Sequence, residues 1–214
     1  MREFKTVSLA DQVFEKLEAD IITGVYARGE ILTELKLVET LGVSRTPIRE
    51  ALRRLEQERL IEESGKGSVV LGITVEDLID IMEIRQQVEG LAVYHAVKNM
   101  TDEDMETLRN ISELQDFYYS KRDLDKLRQM DDQFHNILYI LGGRNVLRDT
   151  LQPLHRKTQR YRKQSISNDS RLTQSIAEHK AIFNAIEAKD AEKAAELMTT
   201  HIRNAKEYMI GGYK

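Results

Sequence analysis

Asp131 and His135 stand four residues apart in Met130-Asp131-Asp132-Gln133-Phe134-His135, so on a helix both side chains leave one face about a turn from each other. His179, within Glu178-His179-Lys180-Ala181-Ile182-Phe183, and His201, within Met198-Thr199-Thr200-His201-Ile202, each fall mid-helix beside core-type residues. The chain has no cysteine, which excludes disulfides and thiolate ligands and leaves imidazole and carboxylate as the only material for a metal site. One carboxylate with three imidazoles suits Zn²⁺ first, or Ni²⁺ or a similar borderline divalent ion, and leaves positions open for water or a ligand. Taken singly, a histidine in such a setting is more often a partly buried, hydrogen-bonded residue than a ligand. His95 and His155 lie outside this set and read as structural or surface residues.

A second kind of chemistry is written near the front of the chain. In Val43-Ser44-Arg45-Thr46-Pro47-Ile48-Arg49-Glu50-Ala51-Leu52-Arg53-Arg54-Leu55, Ser44 is placed to cap a helix through its hydroxyl, and Pro47 falls in the first turn, where its missing N–H costs nothing. Ile48, Leu52 and Leu55 form one apolar face, which leaves Arg45, Arg49, Arg53 and Arg54 for the exposed side or its margins. A short apolar helix before it (Leu35, Leu37, Val38, Leu41) and a tight turn at Gly42 complete a helix-turn-helix, whose second helix sets its N-terminal side chains in the major groove. After it, Leu60-Ile61-Glu62-Glu63 and Val69-Val70-Leu71 flank Ser64-Gly65-Lys66-Gly67-Ser68 as two strands of a hairpin wing. Its tip offers Lys66 beside Gly67, suited to a phosphate or minor-groove contact. The candidate DNA contacts are Lys36, Ser44, Arg45, Thr46, Pro47, Arg49, Lys66 and Gly67.

The rest of the chain must position these groups. It has 214 residues, enough for one or two domains with a core. The formal net charge is -4, which argues against a protein coated in nucleic acid, whereas residues 44–54 carry four arginines against Glu50 alone, a local basic patch suited to site-specific docking. No apolar run approaches a membrane span and Met1-Arg2-Glu3-Phe4-Lys5 opens no signal-type apolar stretch, so a cytoplasmic location is expected. Ser8 with Asp11 forms a capping box for a first helix running to Gly24. Leu71-Gly72-Ile73 reads as a link, which places domains at 1–72 and 73–214. Beyond it, capping and turn signals divide the chain into about six helices, near 75–98, 102–120, 123–141, 144–164, 168–188 and 190–210. The fold class is mainly α: a winged helix-turn-helix with a small β-hairpin wing, then an all-helical bundle. Phe117, Tyr118, Phe134 and Tyr139 read as core or pocket lining.

On Leu32-Thr33-Glu34, the string from Gly42 to Leu52, Gly65-Lys66-Gly67 and the spaced Asp and His residues of the second half, the chain resembles the GntR family of bacterial transcription regulators. The resemblance is to the FadR-like members with an FCD sensor domain, and six sensor helices point to the shorter, VanR-type branch. Leu35, with Lys36 beside it, stands where many relatives carry an arginine. The resemblance implies a joint metal site at Asp131, His135, His179 and His201, and a small organic acid as effector. It also matches Arg85 to an arginine facing the effector cavity, where its planar fork suits a carboxylate. Read from the residues alone, Arg85 and Glu89 are equally a helix pair at i, i+4 on a wet surface. Arg160 and Arg162, beside Tyr161, are lesser pocket candidates. The resulting expectation is a homodimeric, ligand-responsive regulator, most simply a repressor, reading a pseudo-palindromic operator on double-stranded DNA. The alternatives are a constitutive dimeric DNA-binding protein with a structural helical domain, and a metal-dependent hydrolase.

Overall fold

The structure, a computed structural model, describes residues 7–211, with the side chains of 163–166 left aside; Met1 to Lys5 lie outside it. The chain divides into two compact units between Thr74 and Val75, two residues past the link placed at Gly72.

The first unit begins with α1 (Leu9–Thr23), where Ser8 and Asp11 form the reciprocal capping box and Gly24 ends the helix in the left-handed conformation. Thr33 caps α2 (Glu34–Leu41), and Gly42, again left-handed, makes the turn into α3 (Arg45–Gln57). Ser44 occupies the N-cap of α3 in an extended conformation, but its side chain makes no capping bond. A third strand, which the sequence did not signal, joins the wing: β1 (Ile31–Leu32) pairs antiparallel with β3 (Gly67–Val70), which pairs with β2 (Ile61–Ser64), in the order β1-β3-β2. Two residues are too few to show a period-2 pattern. Val13, Phe14 and Leu17 of α1 close on Ile48, Leu52 and Leu55 of α3, with Leu32, Ile61 and Val70 from the sheet completing the core. The wing is thus fixed to the recognition helix through shared apolar burial.

Among the described residues the second unit has seven helices rather than six: α4 (Val75–Asn99), α5 (Asp102–Lys121), α6 (Leu124–Leu141), α7 (Asn145–Lys157), α8 (Gln159–Ser167), α9 (Asp169–Glu187) and α10 (Ala191–Gly211). The expected 144–164 helix is the one that divides. Its break is at Thr158, not at Pro153, which sits inside α7. Thr158 Oγ1 donates to the His155 carbonyl at 2.8 Å and accepts from Arg85 Nη1 at 3.1 Å, so a buried guanidinium and a local side-chain bond compete with the helical ladder there. With seven helices the helix-count argument for a VanR-type branch lapses. Helices α4 and α10 pack so closely that a Cβ at Gly90 would stand 2.6 Å from Thr199 Oγ1 and 2.8 Å from the Ala195 carbonyl oxygen. Phe134 and Tyr139 are core, whereas Phe117 is half exposed, contrary to its reading as core or lining. No helix among the described residues is long and apolar enough to cross a membrane.

Candidate functional site

In the first unit, Ser44, Arg45, Thr46 and Arg49 are exposed along the N-terminal half of α3, and Lys66 is exposed at the wing tip. Arg49, Arg53, Gly67 and Ser68 border one depression between α3 and the wing. Arg49 Nε donates to Glu34 Oε1 at 2.8 Å, which fixes its side chain across the start of α2, and Lys36 Nζ lies 3.2 Å from Glu30 Oε1. Two of the candidates, and one arginine of the cationic side, are corrected in role. Pro47 is buried, so it shapes the first turn and offers no surface to DNA. Gly67 is a backbone device: at φ +132° a Cβ there would meet the Leu32 carbonyl oxygen at 2.6 Å. Arg54, assigned to the cationic side, instead pairs with Asp11 at 2.6 Å and lies 3.9 Å over the Phe14 ring, tying α3 to α1.

In the second unit the structure brings Asp131, His135, His179 and His201 together from α6, α9 and α10. Ligand atoms of His135, His179 and His201 lie within 4.8 Å of one another. His179 Nε2 is 3.2 Å from His201 Nε2 and 3.6 Å from Asp131 Oδ1. Donors around an ion with bonds of ~2.0–2.2 Å stand roughly 3–3.5 Å apart, so the set fits a divalent cation. The outer nitrogen of each ring is engaged: His135 Nδ1 donates to Glu89 Oε2 at 3.0 Å, His201 Nδ1 donates to Glu178 Oε2 at 2.7 Å, and His179 Nδ1 meets Gln115 Nε2 at 2.9 Å. The two carboxylates fix the tautomer that leaves Nε2 free to ligate. Gln115 is different. With its amide N–H donating to Nδ1, His179 carries its proton on Nε2 and donates to His201; ligation by His179 requires the amide to turn over and present Oε1.

Electrostatics favour the same state. Burial, with His201 beside it, pushes His179 well below the usual imidazole range; burial lowers His201 too, although Glu178 pulls the other way. Neutral imidazole is the ligating form. Burial opposes ionisation of Asp131, but the Arg162 guanidinium beside it outweighs this and holds the carboxyl well below the usual carboxylate range.

Arg85 is 2 % exposed, so the wet-surface reading of its pair with Glu89 is wrong; the pair exists at 2.6 Å, but in the core. Arg85 borders the same cavity as Asp131, His135 and His201, yet its donors are largely spent on Glu89, Thr158 and His155. Burial would raise the Glu89 carboxyl, and Arg85 and His135 overcome this and keep it ionised. His155, read as structural, is buried between two arginines: its Nδ1 accepts from Arg85 at 3.1 Å and its Nε2 donates to Asp132 at 2.9 Å. Burial, Arg162 and Arg85 together push it well below its usual range. It could form other ligand clusters with Glu89 and His135 or with Asp131 and Asp132, but the guanidiniums of Arg85 and Arg162 already supply their cation. Arg160 is exposed, while Arg162 is buried and bonds both aspartates.

Sequence reasoning missed Glu89 as the partner of His135, Glu178, Gln115, Asp132 and Arg171. Arg171, 5 % exposed, is held by Glu178 at 3.1 Å and borders the cavity. Only the Glu178–His179 adjacency carried any signal, and it misleads, since Glu178 serves His201. The cavity is partly open to solvent; away from the histidine end its wall is Leu172, Ala205 and Met209, with Ile202 directly after His201.

A winged helix-turn-helix joined in one chain to a helical domain with a buried, donor-lined cavity defines a ligand-sensing DNA-binding regulator. Residues 9–70 match the gntR family of bacterial regulatory proteins and residues 80–204 the FCD domain, and the chain belongs to that family. It is similar to the transcriptional repressor RspR of Escherichia coli K12, 27% identical over 203 residues covering 94% of this chain and 89% of that protein. It is also similar to the gluconate operon repressor of Bacillus licheniformis, 29% identical over 185 residues covering 83% and 75%. In fold it matches E. coli McbR/YncC, with a TM-score of 0.83 at 24% identity over 98% of this chain and 100% of that one. The chain is therefore a DNA-binding transcriptional regulator with an effector domain, and not an enzyme.

Proposed function

We propose that the protein is a homodimeric repressor whose second unit, 75–214, binds a small organic acid at a metal held by Asp131, His135, His179 and His201, and whose first unit reads one half of a pseudo-palindromic operator. The observation that carries the reading is the convergence of three imidazoles, their outer nitrogens all engaged, with Asp131 at one end of a cavity. Zn²⁺ suits the donors best, with Ni²⁺ next. When bound, the ion supplies a Lewis-acidic anchor for a carboxylate oxygen. The chain's own residues do the rest: Glu89, Glu178 and Gln115 orient the rings, and Arg85, Arg162 and Arg171 supply positive field at the head of the cavity.

Lys36, Ser44, Arg45, Thr46, Arg49, Lys66 and the backbone at Gly67 are the DNA-facing set, with two-fold protein symmetry imposing two-fold symmetry on the site. The effector acts by binding one arrangement of the two DNA-binding units better than the other, since a ligand with equal affinity for both would shift nothing. A cytoplasmic location follows from this role. The test is operator binding and thermal unfolding of the full chain before and after chelation, then with Zn²⁺ restored. Chelation is expected to lower the melting temperature and abolish the response of operator binding to the effector, and His179→Ala to do the same. A response indifferent to chelation and to His179→Ala would overturn the metal half and leave a constitutive DNA-binding dimer.

A further inference from the structure

We propose that the effector is a monocarboxylate carrying a short apolar tail, its carboxylate at the histidine end of the cavity and its tail against Leu172, Ile202, Ala205 and Met209. The inference rests on the metal-assisted carboxylate reading above and narrows it to one class of acid.

The first argument is charge. The three guanidiniums of the head end are all committed to carboxylates: Arg85 to Glu89, Arg162 to Asp131 and Asp132, Arg171 to Glu178. These three guanidiniums and four carboxylates leave one carboxylate in excess. A divalent ion turns that into one positive charge in excess, which a single carboxylate neutralises. A second carboxylate would find no guanidinium left unpaired to receive it, and a buried charge without a partner is strongly disfavoured.

The second argument is the direction in which the cavity runs. Leu172 and His179 lie seven residues apart on α9, about 10 Å at 1.5 Å per residue, and His201 and Met209 lie eight apart on α10, about 12 Å. The two helices are joined by a tight turn and run antiparallel, so the histidines share one end and the apolar residues the other. Arg171 begins beside Leu172 but its guanidinium reaches Glu178, back at the histidine end. Among the described lining residues the far end therefore holds Leu172, Ala205 and Met209 with the Ser175 hydroxyl, while Ile202, directly after His201, lines the stretch between. Hydroxyl groups along a polyol chain that do not reach Ser175 would enter it without partners, and each buried, unpaired hydroxyl weakens binding. Methylene groups there would be removed from water on the sides these residues cover.

The test is calorimetric titration of the full chain, reconstituted with Zn²⁺ and in parallel metal-free, with acetate, butyrate and hexanoate against succinate and gluconate. Binding is expected only with metal, tightening about fourfold per methylene from acetate to butyrate, the fold-change equivalent to ~0.8 kcal/mol per buried CH₂. Succinate and gluconate are expected at least tenfold weaker than butyrate. Met209→Gln is expected to flatten the chain-length series, and Ala205→Ser is the milder second variant should the first fail to fold. Succinate or gluconate binding more tightly than butyrate, in a metal-dependent way, would overturn the monocarboxylate inference while leaving the carboxylate reading intact. If none of the five acids binds with or without metal, the carboxylate reading falls and this inference with it.

Discussion

Replacing Glu89 by Gln tests the buried network most sharply. Glu89 is fully buried and accepts from Arg85 Nε at 2.6 Å and from His135 Nδ1 at 3.0 Å. Glutamine keeps the volume and one acceptor but removes the charge, leaving the 2 % exposed Arg85 guanidinium without its main counter-charge. Breaking one side of a buried ion pair costs ~3–5 kcal/mol, a fifth or more of a stability of ~5–15 kcal/mol. In a unit of this size, where the melting temperature moves ~2–4 °C per kcal/mol, that is a fall on the order of 10 °C. His135 loses its orienting carboxylate as well, so Zn²⁺ affinity is expected to fall ~10–100-fold. Thermal unfolding followed by helical circular dichroism reads the first effect, and competition with a metal indicator reads the second. The double variant Arg85→Met with Glu89→Met removes both charges and is expected to recover most of the stability, because apolar replacement of a whole buried pair is often neutral. A loss below about 1 kcal/mol for the single variant, or a double variant no better than the single, would refute the view that burial couples these two residues.

Four further outcomes are expected. Arg54→Ala should lower stability by ~1 kcal/mol through its lost packing on Phe14 and pairing with Asp11, with operator affinity retained in gel-shift titrations. Arg45→Ala should cost ~1–3 kcal/mol on the operator and less on random DNA; an equal loss on both would make Arg45 a phosphate contact. Gly67→Ala should destabilise the wing by ~1–3 kcal/mol in urea unfolding, since it puts a Cβ at positive φ against Leu32, whereas Gly65→Ala meets open space and should be near neutral. Gln115→Leu should lower Zn²⁺ affinity ~10–100-fold with little change in helix content, because only the amide that meets His179 Nδ1 is removed; unchanged affinity would show that Gln115 does not set the tautomer.

The sequence by itself determined the features that depend on neighbours along the chain. The capping box at Ser8 and Asp11, the turn at Gly42 and the apolar faces of α3 are local, because a helix places residues three and four apart on one side whatever surrounds it. The Asp131–His135 step on α6 was legible for the same reason. Tertiary structure decided whatever depended on residues far apart in the chain. That Arg54 faces α1 and not DNA follows from Asp11, 43 residues earlier. That Arg85 and Glu89 are core rather than surface follows from Thr158 and His155, some 70 residues later, and the same contact ends α7 where periodicity continued. Glu89, Gln115 and Glu178 acquire roles only when α4, α5, α9 and α10 converge on the three rings, 46, 64 and 23 residues from their partners. Helical periodicity says which side of a helix a residue occupies, but only the packing of the other helices says whether that side meets water, an ion pair or a ligand.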